Sequence, residues 1–211
     1  MKPLEYYSTQ LQMQGVLRRF DNAAVDALQI ASHQSLFLKE VGLPERYTTT
    51  SMSSLPPLEA YVPGSGEQIR RWRVLQQTPL EDQVDYLCLV VPEAEVHIFV
   101  SDSNGKYNTL FCNSSVVQYA EMLIRFHHYN QLKRVEYDRL EELNQVVIGA
   151  LKGALQTSVI DADTVNDQMD EIYERVDEYK DDMIKEFAAI DARAIMDGTY
   201  WFYNCVGFDT I

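Results

Sequence analysis

Residues 96–126 read VHIFVSDSNGKYNTLFCNSSVVQYAEMLIRF. An apolar run alternates up to Ser101, Asn104-Gly105 follows, a second run alternates from Tyr107 to Cys112, and a polar stop then opens a helical pattern. Asn-Gly between two alternating runs predicts a hairpin, because both turn residues must take positive φ. Val96, Ile98 and Val100 fall on one side of the first strand, with His97, Phe99 and Ser101 on the other. Asn113-Ser114-Ser115 offers three N-caps, and Ser115 with Gln118 fits a capping box. Val116, Ala120, Leu123 and His127 then recur at helical spacing. The middle of the chain is therefore expected to be a hairpin delivered onto a helix.

Upstream, Val84 to Val91 is an apolar run bounded by Asp82 and Pro92, which suits a central strand. With the hairpin it predicts a three-stranded meander, since short connections keep neighbouring strands paired. Residues 5–20 carry a weak helical pattern. Asp21-Asn22 can cap a segment through Val25 and Leu28. Residues 34–41 predict a short helix whose end is marked by Gly42, able to take the left-handed conformation, and by Pro44. A further short strand fits 58–62. Glu67 to Gln77, with Arg70, Arg71 and Arg73 around Trp72, is expected to be a short basic segment of helical spacing. It reads either as arginines around one buried Trp or as an anion or partner contact.

Downstream the pattern stays helical. Leu132 to Leu155 supports a second helix at about 131–156, after the one ending near Tyr129. Val165, Met169, Ile172, Val176, Tyr179, Met183 and Phe187 then form one stripe of a long amphipathic helix. That stripe reads as core packing, or as a dimer or partner contact. The tail holds Trp201, Phe202, Tyr203 and Phe208, whose large apolar areas predict docking on the rest of the chain. The expected fold is α+β: a small antiparallel or mixed sheet flanked by helices, with a helical C-terminal half. A single domain over 1–211 is expected, with a core at about 21–130 and a helical extension at about 131–211 packed on it.

Charge is the most informative bulk property. The 211 residues carry a formal net charge of −14. Residues 161–197 hold thirteen acidic and four basic side chains. Such a balance argues against a nucleic-acid partner, since phosphate binding needs Lys and Arg, and suits a basic protein partner steered in by the field. An exposed acidic helix face that is merely solvated is the plainer alternative. No apolar stretch approaches a membrane span. The opening MKPLEYYSTQLQMQG lacks a signal-peptide core, so a cytoplasmic location is expected. Cys88, Cys112 and Cys205 fit free thiols better than a disulfide framework.

Catalytic patterns are not found. His127-His128 are adjacent, so on a helix they diverge by about 100° and cannot share one ion. No metal site and no cofactor are expected, and no G-x-S-x-G elbow, P-loop or G-x-G-x-x-G occurs. Cys112 with the histidines is a weak nucleophile arrangement, lacking a third member. Carboxylates on an exposed helix lack the burial that tunes them for acid–base work. The expectation is a protein that binds rather than an enzyme.

Four stretches resemble the SUKH superfamily of immunity proteins, in particular its fourth-type branch found beside bacterial polymorphic toxins. They are Phe37-Leu38-Lys39-Glu40-Val41-Gly42-Leu43-Pro44, the strand–Gly–strand segment Val96–Phe111, the step Phe111-Cys112-Asn113-Ser114-Ser115 into a helix, and Ile190-Asp191-Ala192 followed by Trp201. Ala192 stands where the family often has Pro. The resemblance implies a cytoplasmic antidote that binds a cognate toxin effector, often a nuclease or deaminase, and blocks it. A regulatory or scaffolding module of the same superfamily, without a toxin, is the competing expectation. Since a nucleic-acid-handling toxin is expected to be basic around its site, the partner-binding residues expected here are Asp170, Glu174, Asp177, Glu178, Asp181 and Asp182. The sequence leaves a homodimer open.

Overall fold

The computed structural model describes residues 2–44, 72–80, 83–91, 93–101, 107–151 and 162–207. Helix α1 (Leu4–Gln12) starts after Pro3 and buries Tyr7 and Leu11, four residues apart on one face. It ends well short of Phe20: Leu17–Arg18 form a short strand, β1, not the end of a helix over 5–20. Asp21 caps α2 (Asn22–Asp26) by accepting from the Ala24 N–H at 2.9 Å. Helix α3 (Ser32–Glu40) leads into β2 (Leu43–Pro44), which pairs antiparallel with β1. Gly42 at the joint has φ +76 and both its own N–H and that of Val41 bond Phe37 O. A Cβ on Gly42 would lie 2.0 Å from Arg18 O, so the glycine is required by the closeness of β1 as well as by its φ.

The main sheet has four antiparallel strands in the order β3 (Trp72–Leu80), β4 (Gln83–Val90), β5 (Glu95–Ser101) and β6 (Tyr107–Asn113). The predicted meander is its last three strands. The first corrects the reading of a basic helical segment for 72–77, while 67–71 lie outside the described residues. Trp72, Leu75 and Gln76 do stand at helical spacing, but Trp72 and Val74 also alternate with Arg73 and Leu75, and the open edge of β4 selects the period-two reading. An irregularity between Val74 and Gln76 shifts the register, and Leu75 is fully buried. Leu87 faces Ile98 across the β4–β5 ladder and Ile98 faces Leu110 across β5–β6. This face, with Leu89 and Val96, joins the main core. The expected strand at 58–62, the Asn104-Gly105 turn, the break before Ala162 and Phe208 lie outside the described residues.

Helix α4 (Val116–Leu151) is one continuous element of 36 residues. The expected interruption near 130 is not there: Asn130 sits inside the helix and its side-chain amide donates to Phe126 O at 3.0 Å, one turn back. Helix α5 (Ala162–Ile190) packs against α4. Its predicted stripe is the buried side, with Val165, Ile172, Val176, Met183 and Phe187 all buried and Met169 and Tyr179 partly so. A 3-10 turn (Ala192–Ile195) and α6 (Tyr200–Val206) follow. Of the tail's aromatics Trp201 docks as expected: it is fully buried and its ring meets Tyr119, Phe126, Phe187 and Tyr200, whereas Phe202 is only half-buried and Tyr203 is exposed, because α6 turns one side to solvent. No helix among the described residues is long and apolar enough to cross a membrane.

Candidate functional site

All six carboxylates expected to bind a partner, Asp170, Glu174, Asp177, Glu178, Asp181 and Asp182, are exposed on α5. Asp170, Glu174, Asp177 and Asp181 step by four, three and four residues, so they share one side of the helix, and Glu178 and Asp182 flank them. Lys185 donates to Asp182 at 3.0 Å and also serves Asp181. Among the described residues the other four take part in no ion pair or side-chain hydrogen bond. Tyr173, 46% exposed, borders this face three residues after Asp170 and four before Asp177. Sequence reasoning passed over it because it lies off the buried stripe and is uncharged.

Behind the face, a buried polar group sits in the α4–α5 seam. Glu136 is 4% exposed. It accepts from Arg139 at 2.8 Å, from Arg175 at 3.3 Å and from the Tyr179 hydroxyl at 3.4 Å. Arg175 also pairs with Glu171. Burial, and then the Glu136 charge, raise the Tyr179 hydroxyl above its ordinary pKa. Tyr179 thus has two roles, an apolar stripe position and a hydroxyl directed at Glu136, and only the first is legible from spacing.

The base of α5 is fastened to the sheet by residues far apart in sequence. Asp191 follows the last residue of α5. Its carboxylate accepts from the Ser114 N–H at 2.6 Å, the Ser114 hydroxyl at 3.2 Å and the Arg193 N–H at 3.2 Å. The Trp201 indole N–H donates to Asn113 Oδ1 at 2.8 Å. Ser115 Oγ accepts from the Gln118 N–H at 3.2 Å, the expected cap. Gln118 Oε1 accepts from the Ser115 hydroxyl at 2.8 Å, and its Nε2 donates across to Ile190 O at 2.8 Å. Asn113-Ser114-Ser115 is therefore a clasp as well as a cap: Asn113 holds Trp201, Ser114 holds Asp191, and Ser115 serves α4.

A second fastening crosses the sheet edge. Arg193 donates to Glu95 at 2.9 Å and lies 4.4 Å over the Phe111 ring. Glu95 Oε2 is 3.3 Å from His97 Nε2. Burial alone would raise the Glu95 carboxyl, but the hydrogen bonds from Arg193 and His97 outweigh it and bring it below its ordinary value. Burial lowers the His97 pKa despite Glu95 beside it.

The residues of a nucleophile reading are not arranged for one. Cys112 is fully buried, and burial first, then Cys88, push its thiol well above the ordinary value. His127 is half-buried and His128 exposed on the next position of α4. Among the described residues no group of His, Cys, Asp or Glu is placed to hold a metal ion.

The strand–helix step and the C-terminal Asp191 and Trp201 that grip it are the stretches in which the sequence resembles immunity proteins, set here in an α+β fold. The family model described as SUKH-4 immunity protein matches residues 11–203, and the chain belongs to that family. No curated protein and no solved structure matches it. Membership places the chain in toxin–immunity systems, where it binds a cognate toxin.

Proposed function

We propose that the chain neutralises a basic toxin domain, a nuclease or a deaminase, by covering that domain's site with the acidic face of α5, inside the cytoplasm. The observation that carries this reading is the row of exposed carboxylates on α5, of which Asp170, Glu174, Asp177 and Glu178 make no ion pair among the described residues, while Lys185 serves Asp182 and Asp181. Unpaired surface charge stabilises a fold little, yet it accelerates the approach of an oppositely charged partner. Rim ion pairs contribute only about 0–1 kcal/mol each. The anchoring energy therefore belongs to a residue such as Tyr173, an exposed aromatic at the border of the face.

The test is association with the cognate toxin domain, captured from the native strain. Asp170→Lys, Glu174→Lys and Asp177→Lys together should slow association and flatten its salt dependence, while stability stays within roughly 0.5 kcal/mol. Tyr173→Ala should instead speed dissociation. An association rate and a salt dependence unchanged in the triple variant would exclude the acidic face.

A further inference from the structure

Strand β1 pairs with β2 alone, so one of its edges is open. Two facts fix which backbone groups lie on that edge. Pro44, opposite Leu17, has no N–H, so the pair that exchanges hydrogen bonds is Arg18 with Leu43. The Arg18 carbonyl oxygen also lies 2.0 Å from where a Gly42 Cβ would stand, on the β2 side. In a planar trans peptide the C=O and the next N–H point opposite ways. The Leu17 C=O and the Arg19 N–H therefore face outward, and among the described residues neither has a partner. They flank Arg18 as the acceptor and donor that an added strand uses.

A groove of about 760 Å³ runs along this edge, lined by Gln12, Gly15, Val16, Leu17 and Arg19. Val16 and Met13, 70% and 66% exposed, are the two most exposed large apolar side chains among the described residues, and they stand three positions apart beside it. The charge of the edge is positive. Arg18 and Arg19 form no ion pair among the described residues, in a chain of net charge −14. The acid nearest to them in sequence, Asp21, is occupied as the cap of α2. Among the described residues no carboxylate lines the groove. A second copy of β1 does not suit this edge, because it would set its own two arginines against these, and like charges on paired strands repel. Acidic side chains do suit it.

We propose that the open edge of β1 binds an acidic peptide segment of a partner protein as an added strand. Its backbone bonds the Leu17 C=O and the Arg19 N–H, its carboxylates meet Arg18 and Arg19, and its apolar side chains lie against Met13 and Val16. The edge is independent of the α5 face and stands or falls without it. The test is an NMR titration of the 13C,15N-labelled full chain with the end-blocked hexapeptide Thr-Val-Glu-Glu-Val-Thr and with its counterpart carrying Lys for both Glu. The acidic peptide should give saturable shifts at the Arg19 amide and the Leu17 carbonyl carbon and slow the exchange of the Arg19 amide; the basic peptide should do neither. Arg19→Gln keeps the N–H and should weaken binding by up to about fivefold, the size of one rim ion pair. Arg19→Pro also removes the N–H, which bonds nothing in the described fold, and should weaken binding by roughly another fivefold with the melting curve intact. Where Arg19→Pro does not fold, protection of the Arg19 amide in the unaltered chain decides alone. Shifts that miss Leu17 and Arg19, an equal response to the basic peptide, or undiminished binding in a folded Arg19→Pro would each overturn the site. Shifts at the same residues that grow with protein concentration alone would give the edge to a second copy, and so overturn it too.

Discussion

Ser114 and Asp191 are 77 positions apart, and the Ser114 backbone N–H meets the Asp191 carboxylate at 2.6 Å. This bond and the Trp201–Asn113 bond beside it join the last strand of the sheet to the segment that follows α5. Two short sequence signatures thus turn out to be two halves of one fastening.

Removing the indole donor tests it most cleanly. Trp201→Phe keeps most of the ring and leaves Asn113 Oδ1 without its donor; Asn113 is fully buried. The expected loss is about 1–3 kcal/mol, the cost of an unsatisfied buried acceptor. Trp201→Ala should cost about 3–5 kcal/mol by adding a cavity. Urea midpoints with an unchanged m-value would measure both.

Asp191→Ala takes the acceptor from three donors at once. A destabilisation of about 1–3 kcal/mol is expected. Hydrogen exchange gives the sharper readout: the Ser114 amide should lose protection while amides of β4 keep theirs.

Two glycines separate strain from crowding. Gly198 has φ +83 and open space where a Cβ would go, whereas a Cβ on Gly42 would meet Arg18 backbone. Gly198→Ala should therefore cost only the left-handed conformation, about 1–2 kcal/mol. Gly42→Ala must also push β1 away from β2, so its loss should be clearly larger. Equal thermal shifts in the two variants would refute the close approach as the reason for Gly42.

Stability should fall in mild acid. The His97 and His127 pKa values lie below the ordinary histidine value in the folded protein, chiefly through burial. The unfolded chain then binds protons first as pH drops below about 6.5, so stability is full above that pH and declines toward the lower folded values. His97→Gln should flatten the dependence of unfolding free energy between about pH 7 and pH 5. An unaltered slope would remove His97 as its cause.

The elements legible in the sequence were those whose signal is local. The α5 stripe, the Gly42 stop, the Asp21 cap and the strands at 84–91 and 96–101 each follow from spacing or one turn residue. Non-local competition hid the rest. Trp72 to Leu75 satisfies two periods, and only the presence of β4 chooses between them. Nothing near Asn130 shows that α4 runs on, because its continuity is fixed by α5 lying alongside. The roles of Ser114 and Gln118 depend on Asp191 and Ile190, more than seventy positions away. Gln34 carries no motif at all; its bond to Val116 exists only once α3 and α4 are packed.

Glu136 has a consequence for distance. Its carboxylate meets Arg175 and Tyr179 on the facing helix, so sliding α5 along α4 by one turn, about 5.4 Å, would strand a buried charge. The two helices are keyed to a single register. Asp170, Glu174, Asp177 and Asp181 are therefore graduations on a fixed scale, spanning about 16 Å from first to last. On the proposed reading, the toxin's cations are set at that pitch.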